Sequence, residues 1–324
     1  MKEEEIRPKS IFDEYIRLAS IDARKYFEKS EMEEITCPAC FSVGEFVFSK
    51  NGFFYQECMN CNTVFVSPRP LSKYFNQYYT NSESAKFWAT TFYKETADAR
   101  REKLWKPKAE QVFFYLKRYF TEDAVLYDIG GGYGIFAEEM IKLGIKTYII
   151  EPSPFLAEVC RQKGILTIQK FLEEIELTEL GSGKKAFVSF ELFEHLHNPK
   201  LFLERVNALM NAGDIFIFTT LSGLGLDIQL LWENSKSITP PYHINFFNPH
   251  SVKILTETIG LKILEITTPG KLDMDIVLNN KEFVHDRFWS KFIKYTSNQN
   301  KEKWQALLAE SGWSSHMMVV CQKI

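Results

Sequence analysis

Long apolar runs are missing from this 324-residue chain. Nothing approaches the roughly 18 uncharged residues that a membrane-spanning helix requires. An apolar segment is also absent at the start, where MKEEEIRPKS is rich in charge. No secretory leader is read there, and a soluble, cytoplasmic protein is expected. Charge of one sign is lacking too: 39 Lys and Arg stand against 42 Asp and Glu, for a net charge of −3. That balance gives no global attraction for nucleic acid or an anionic membrane. Cysteine is sparse, with six residues, too few for a disulfide scaffold in a chain this long. Repeats and low-complexity tracts are absent. What is plentiful is phenylalanine, 28 residues within 15% aromatics, assigned by default to core. The 45% hydrophobic and 25% charged composition excludes a disordered or fibrous chain, and the length suggests two cores.

Apolar spacing at Ile11, Tyr15, Leu18, Ile21 and Phe27 predicts an amphipathic lead helix. A cysteine-bearing stretch follows and ends in SPRP (67–70), where prolines stop strands. Residues 71–120 read as helical and aromatic. From 124 onward apolar runs alternate with helical patterns, which implies an α/β fold on a mostly parallel sheet. Strands are expected at Ala124–Asp128, Thr147–Glu151, Leu166–Ile168, Ala186–Phe190, Ile215–Thr219, Lys262–Thr267 and Met317–Gln322. The expected division is a lead helix (1–33), a zinc ribbon (34–70), a helical linker or lid (71–120) and a catalytic domain (121–324). That last part carries an insertion at about 270–315, with two helical patterns in it.

Cys37 and Cys40 form one C-x2-C pair, and Cys58 and Cys61 another, 17 residues later. Two such turns supply the four tetrahedral thiolates that structural zinc takes, with no coordination site left open for catalysis. A redox dithiol instead sits alone on a thioredoxin-like unit, which this sequence lacks. Cys160 and Cys321 read as ordinary buried thiols. Residues 31–70 carry Glu31, Glu33, Glu34, Glu45 and Glu57 against Lys50 and Arg69. A ribbon that bound phosphates would be basic, so this one is expected to pack on the rest of the chain.

Val125–Gly134 reads VLYDIGGGYG: an apolar strand, an acid, then glycines before a helix. Such a turn lets backbone approach a ligand at a helix N-terminus. The glycines run G-x-G-x-G (Gly130, Gly132, Gly134), and Ile135 occupies the place where a dinucleotide loop needs a small residue. That disfavours a nicotinamide-dependent oxidoreductase. Asp128 can attract an ammonium, and Glu151, ending the next strand, can accept both ribose hydroxyls. Together they describe a nucleoside carrying a cationic amino acid.

At this point the sequence resembles the class I S-adenosylmethionine-dependent methyltransferases. DIGGGYG is similar to their first motif, YIIEP (148–152) to their second, and VSFELFEHLHNP (188–199) to the segment after their fourth strand. HINFFNPHSVKILTETIG (243–260) resembles a further family segment, and the cysteine-bearing head resembles members that modify sugars of surface polysaccharides or nucleotide sugars. The resemblance implies a Rossmann-like seven-stranded sheet with the last strand antiparallel. It implies that Gly130, Gly132 and Gly134 line the methionine and ribose side of S-adenosylmethionine, that Glu151 binds the ribose, and that Phe190 and Glu191 border the sulfonium. Adenine would lie near Pro152 and the Lys170–Phe171 turn. Two departures bear on the acceptor: FTTLSGLG stands where many members have Thr-Pro-Asn, and the 270–315 piece replaces a hairpin.

A sugar hydroxyl must lose a proton on methylation, and His is suited to take it near neutral pH. His195 and His243 are the candidate bases, with Glu194 (or Glu191) orienting one of them. Structural roles for both histidines stay open, and His197, His250 and His316 are read as surface or structural. Arg100, Arg101 and Lys106 are candidates to bind a diphosphate, within a stretch (94–118) whose default reading is a solvated basic face. The aromatics of 71–93 form either a lid or a helix packed on the sheet. The acceptor is expected to be a small molecule, a sugar or nucleotide sugar, and no nucleic-acid partner is expected. A zinc-ribbon RNA methyltransferase and a non-catalytic zinc-bound scaffold are the alternatives.

Overall fold

A computed structural model describes residues 1–324. A seven-stranded sheet is built from β1 (Val125–Ile129), β2 (Thr147–Ile150), β3 (Leu166–Ile168), β4 (Lys185–Ser189), β5 (Ile215–Leu221), β6 (Leu261–Thr267) and β7 (His316–Lys323). Its order is β6-β7-β5-β4-β1-β2-β3, and β7 runs antiparallel to both neighbours. β4 is buried at every residue and β5 at all but its last, as strands covered on both faces must be. β1 and β4 are parallel neighbours, and the order in which successive strands are added to the sheet reverses between them. Ligands of open α/β sheets bind at such a reversal, beyond the carboxyl ends of the strands.

The helices are α1 (Lys9–Phe27), α2 (Tyr93–Arg100), α3 (Lys106–Tyr119), α4 (Ile135–Lys142), α5 (Pro154–Gln162), α6 (Pro199–Leu209), α7 (Pro249–Thr258), α8 (Asp273–Asn279), α9 (Arg287–Tyr295) and α10 (Asn298–Ser311), with further ones at Ser72–Asn81, Glu83–Phe87 and Leu226–Leu231. Ser153, Asn198 and Asn248 cap α5, α6 and α7, each with proline in the first turn, a pairing that fixes helix starts. The 71–120 stretch is helical but interrupted by π-helical turns at Trp88–Phe92 and Arg101–Trp105. The insertion contains α8 as well as the two helices legible in sequence. None of these helices is long and apolar enough to cross a membrane.

The cysteine ribbon pairs Gly44–Lys50 with Phe53–Cys58 and Phe53–Cys58 with Val64–Val66, all antiparallel. It is not self-contained. Asn245–Phe246, from the segment after β5, pairs with Val64–Phe65 and forms the edge of the same sheet. An aromatic core joins α1, the ribbon and the 71–93 helices. Tyr242 lies 5.3 Å from Tyr15 and 5.1 Å from Tyr78, and Trp88 lies 4.6 Å from Tyr15. Packing therefore accounts for most of the aromatic excess.

Candidate active site

The glycine loop leaves β1 and enters α4 as the sequence suggests. Gly130, Gly132 and Gly134 all have positive φ, at 72°, 54° and 73°. At Gly134 a Cβ would also come within 2.9 Å of Ile165 Cδ1, so glycine is required there twice over. Gly131, not singled out by the sequence reading, is tight for another reason. A Cβ would sit 2.9 Å from Asp128 Oδ2 and from Ile149 Cγ2. The buried Glu151 carboxylate anchors the loop, accepting from Gly132 N–H at 3.1 Å and Ser153 N–H at 3.0 Å. Lone pairs remain for a ligand hydroxyl.

Asp128, Gly130, Gly131 and Phe190 line a small cavity with Tyr93, Trp105 and Tyr133. Tyr93 and Tyr133 stack with ring centres 5.5 Å apart, and the Tyr93 hydroxyl reaches over the loop. The 71–93 aromatics thus divide: Phe75, Tyr78 and Phe92 are core, and Tyr93 alone covers the glycine loop. Burial, reinforced by nearby Glu151, pushes the Asp128 carboxyl up to about 7. Pro152 is half-buried beside Glu151, whereas Phe171 is 54% exposed and meets none of these groups in the cavity lining.

Glu191, immediately after β4, has φ +54°, a conformation that costs a non-glycine residue energy and that collects at functional sites. Its N–H donates to Thr219 Oγ1 at 3.2 Å. Burial would raise its carboxyl, but Lys108 and Arg100, at 3.8 and 3.4 Å, hold it at about 2. Glu191 faces a second, larger cleft that also takes in Arg100, Lys108 and His316. Phe190 lines the small cavity, and the next residue, Glu191, lines this cleft. His316, read as surface or structural, opens β7 on the cleft wall, and burial lowers it to about 4. Arg101 and Lys106, candidates for a diphosphate, do not line the cleft. Arg101 is bound by Glu139 and Glu138 at 2.6 and 2.7 Å, and Lys106 faces Glu102 at 3.6 Å. Of that trio only Arg100 reaches the cleft.

Glu194, His195 and His243 come together, their ligand-type atoms within 4.8 Å of one another. The two imidazoles are 4.8 Å apart, and Ile244 N–H donates to the Glu194 carbonyl at 3.0 Å, joining the two segments. His243 Nδ1 donates to the Ser237 carbonyl at 2.5 Å, which leaves Nε2 as an acceptor. Burial, with His195 adding to it, lowers His243 to about 3, and burial lowers His195 to about 4. Burial raises Glu194 to about 8. Glu194 Oε2 and His195 Nδ1 are buried without partners. His197 accepts a structural role, bonded to the Pro70 carbonyl at 2.9 Å, and His250 is exposed.

The four ribbon cysteines also converge. Cys37 Sγ lies 3.5 Å from Cys61 Sγ, and Cys40 Sγ 3.4 Å from Cys58 Sγ. Those separations exceed a disulfide bond of about 2.05 Å and approach the spacing of about 3.8 Å for thiolates at about 2.3 Å around a tetrahedral zinc ion. Ala39 N–H and Asn60 N–H donate to Cys37 and Cys58 sulfurs at 3.4 Å, as they would to thiolates. The donor set fits zinc. Cys160 and Cys321 are buried elsewhere, as expected of plain thiols.

A reversal-point crevice with a glycine cradle, on a sheet whose last strand is antiparallel, defines an S-adenosylmethionine-dependent methyltransferase of class I. A model of the methyltransferase domain family matches residues 98–266, and the chain belongs to that family. Ubiquinone biosynthesis O-methyltransferases from strains of Xanthomonas oryzae pv. oryzae are 26% identical over 170 residues, spanning 51% of this chain and 67% of theirs. Similar solved structures include a SAM-dependent methyltransferase from Archaeoglobus fulgidus, 18% identical, covering 66% of this chain and 94% of that one, with a TM-score of 0.42. Another is the plantazolicin methyltransferase BamL in complex with a desmethylPZN analog and SAH, 15% identical, covering 76% and 93%, with a TM-score of 0.49.

Proposed function

We propose that the protein methylates a hydroxyl of a sugar, nucleotide sugar or surface-polysaccharide precursor. The observation that carries this reading is that consecutive residues at the end of β4, Phe190 and Glu191, line the glycine-loop cavity and the cleft, with the Glu194–His195–His243 cluster in the segments that follow β4 and β5. Asp128 would hold the ammonium of S-adenosylmethionine, Gly130, Gly132 and Gly134 its amino-acid and ribose backbone, and Glu151 the ribose hydroxyls. Pro152 would border the adenine, with Phe171 as an outer wall. The cofactor, when bound, supplies an electrophilic methyl on a sulfonium and leaves as S-adenosylhomocysteine. His243 Nε2 accepts the acceptor hydroxyl's proton as the oxygen–methyl bond forms, and the Ser237 carbonyl fixes the tautomer. His195 and Glu194 position that imidazole. Methylation at oxygen is also what the name O-methyltransferase specifies for the Xanthomonas relatives. Cys37, Cys40, Cys58 and Cys61 hold a structural zinc ion in this reading.

Calorimetry should show micromolar binding of S-adenosylhomocysteine that Gly132→Arg abolishes, and absence of binding by the unaltered protein would sink the proposal. His243→Asn should keep that affinity while lowering turnover by about 100-fold or more, the usual contribution of a general base. Full turnover in the variant would remove His243 from the role.

A further inference from the structure

The family match begins at residue 98 and ends at 266, yet the large cleft is walled in part by residues outside it. Residues near the amino terminus reach the cleft from one side, and residues 269–276 from another. The turn at Glu3–Glu5 is fixed in place. Glu3 N–H donates to Asp275 Oδ2 at 2.6 Å, Asn279 Nδ2 donates to Glu3 Oε2 at 3.0 Å, and Glu5 pairs with Lys103 at 2.6 Å. Ile6 is buried behind the turn. Arg7 is thus delivered to the cleft by an anchored element.

The cleft's charge is unbalanced. Arg7, Arg100, Lys103, Lys108 and Lys271 line it against Glu191 and Asp273, an excess of three positive charges. Local pairing leaves much of this unused. Glu5 takes Lys103, and Arg100 and Lys108 share the single Glu191 carboxylate. Asp273 is committed elsewhere, accepting from Ser314 Oγ and Ser315 N–H at 2.6 Å and from Gln305 Nε2 at 2.8 Å. Arg7 and Lys271 form no ion pair. The Nε atoms of Arg7 and Arg100 are buried with no hydrogen-bond partner, and Arg100 is only 2% exposed. Leaving a buried charged donor unsatisfied is costly unless a ligand completes it. Holding Glu191 ionised explains Arg100 and Lys108, but it does not explain Arg7 or Lys271.

Resting on the methyl-transfer reading above, we propose that the acceptor carries a phosphate ester, and that Arg7 and Lys271 bind that phosphate as specificity-determining residues. A guanidinium fork matches phosphate oxygens, and an ammonium adds point charge beside it. With Lys103 neutralised by Glu5, an excess of two positive charges remains; a single carboxylate would answer half of it, whereas a phosphate ester carries up to about two negative charges. Among sugar-class acceptors this selects the phosphorylated ones.

The test is calorimetry on the full chain saturated with S-adenosylhomocysteine, using inorganic pyrophosphate as the probe. Arg7→Gln and Lys271→Gln are compared with the unaltered protein. Pyrophosphate should bind the unaltered protein and lose about tenfold in affinity in each variant, the loss expected for one charge-assisted contact. Affinity for S-adenosylhomocysteine should stay within about twofold, which also reports that each variant is folded. Lys271 is exposed, so its variant serves should Arg7→Gln disturb the amino-terminal turn. No binding of pyrophosphate at about 10 mM, or equal affinity in both folded variants, overturns the proposal. Failure of the unaltered protein to bind S-adenosylhomocysteine is read separately, and it overturns the methyl-transfer reading instead.

Discussion

Asp128 and Glu151 illustrate how two acids of the same cradle are given different tasks. Glu151 spends both oxygens on backbone N–H groups, whereas Asp128 is buried with its carboxyl raised to about 7. In the free protein Asp128 therefore keeps its proton over much of the range below neutrality. A bound ammonium favours the ionised form, so binding within that range must expel the proton. Affinity for S-adenosylhomocysteine is expected to rise as pH approaches about 7 and to level off above it. Calorimetry at about pH 6 in buffers of different ionisation enthalpy should register proton release, and Asp128→Asn should remove it. Equal release in the variant would exclude Asp128 as the source. The cradle residues were legible because an acid and three spaced glycines sit at one strand end. Arg7, Lys108 and His316 were not, since nothing local marks a residue that reaches a site only through the packing of distant elements.

The seven sheet strands were readable at the scale of elements, to within a residue or two, because apolar runs bounded by Gly and polar residues leave little choice of state. The edge strand Asn245–Phe246 was not readable. Two residues carry no periodicity, and their partner Val64–Phe65 lies far upstream. That pairing ties the ribbon to the base candidate: Tyr55 Oη donates to the His243 carbonyl at 2.7 Å, and Asn248 Nδ2 to the Cys61 carbonyl at 2.7 Å. Arg69 likewise donates to the His197 carbonyl and to Asn245 Oδ1, at 2.7 and 3.0 Å. Loss of the ion should thus reach turnover as well as stability. The purified protein is expected to hold about one zinc per chain, a closed four-thiolate site being filled by a single ion. Cys58→Ser should lose it, with a lower melting temperature and turnover reduced at least about tenfold. Elemental analysis finding little zinc in fresh protein, or a zinc-free variant with full turnover, would contradict this.

Over the whole molecule the methyltransferase sheet and its surroundings are hard to separate. Tyr242, Ile244 and Phe246 belong to the core cluster that contains Phe12, Tyr15, Phe48, Tyr55 and Phe92. A fragment starting at residue 98, where the family match begins, would strip these side chains of most partners. Each large apolar side chain exposed in this way forfeits roughly 2–3 kcal/mol, a large share of an ordinary domain's net stability of about 5–15 kcal/mol. Such a fragment is expected to bind hydrophobic dyes and to show poorly dispersed NMR spectra. A well-dispersed fragment that binds S-adenosylhomocysteine would refute that expectation.

The borrowed edge strand has a consequence for the order of events on the ribosome. The ribbon's strands between residues 44 and 66 emerge early, but the strand that completes their sheet is made only at residues 245–246. Domains generally fold as units, amino-terminal first, at about 5–20 residues per second of synthesis. Here the Val64–Val66 edge and the aromatic side chains behind it wait roughly 10–40 s for their partner at that rate. During that interval the nascent chain presents an open strand edge, a ready template for pairing with a neighbouring chain.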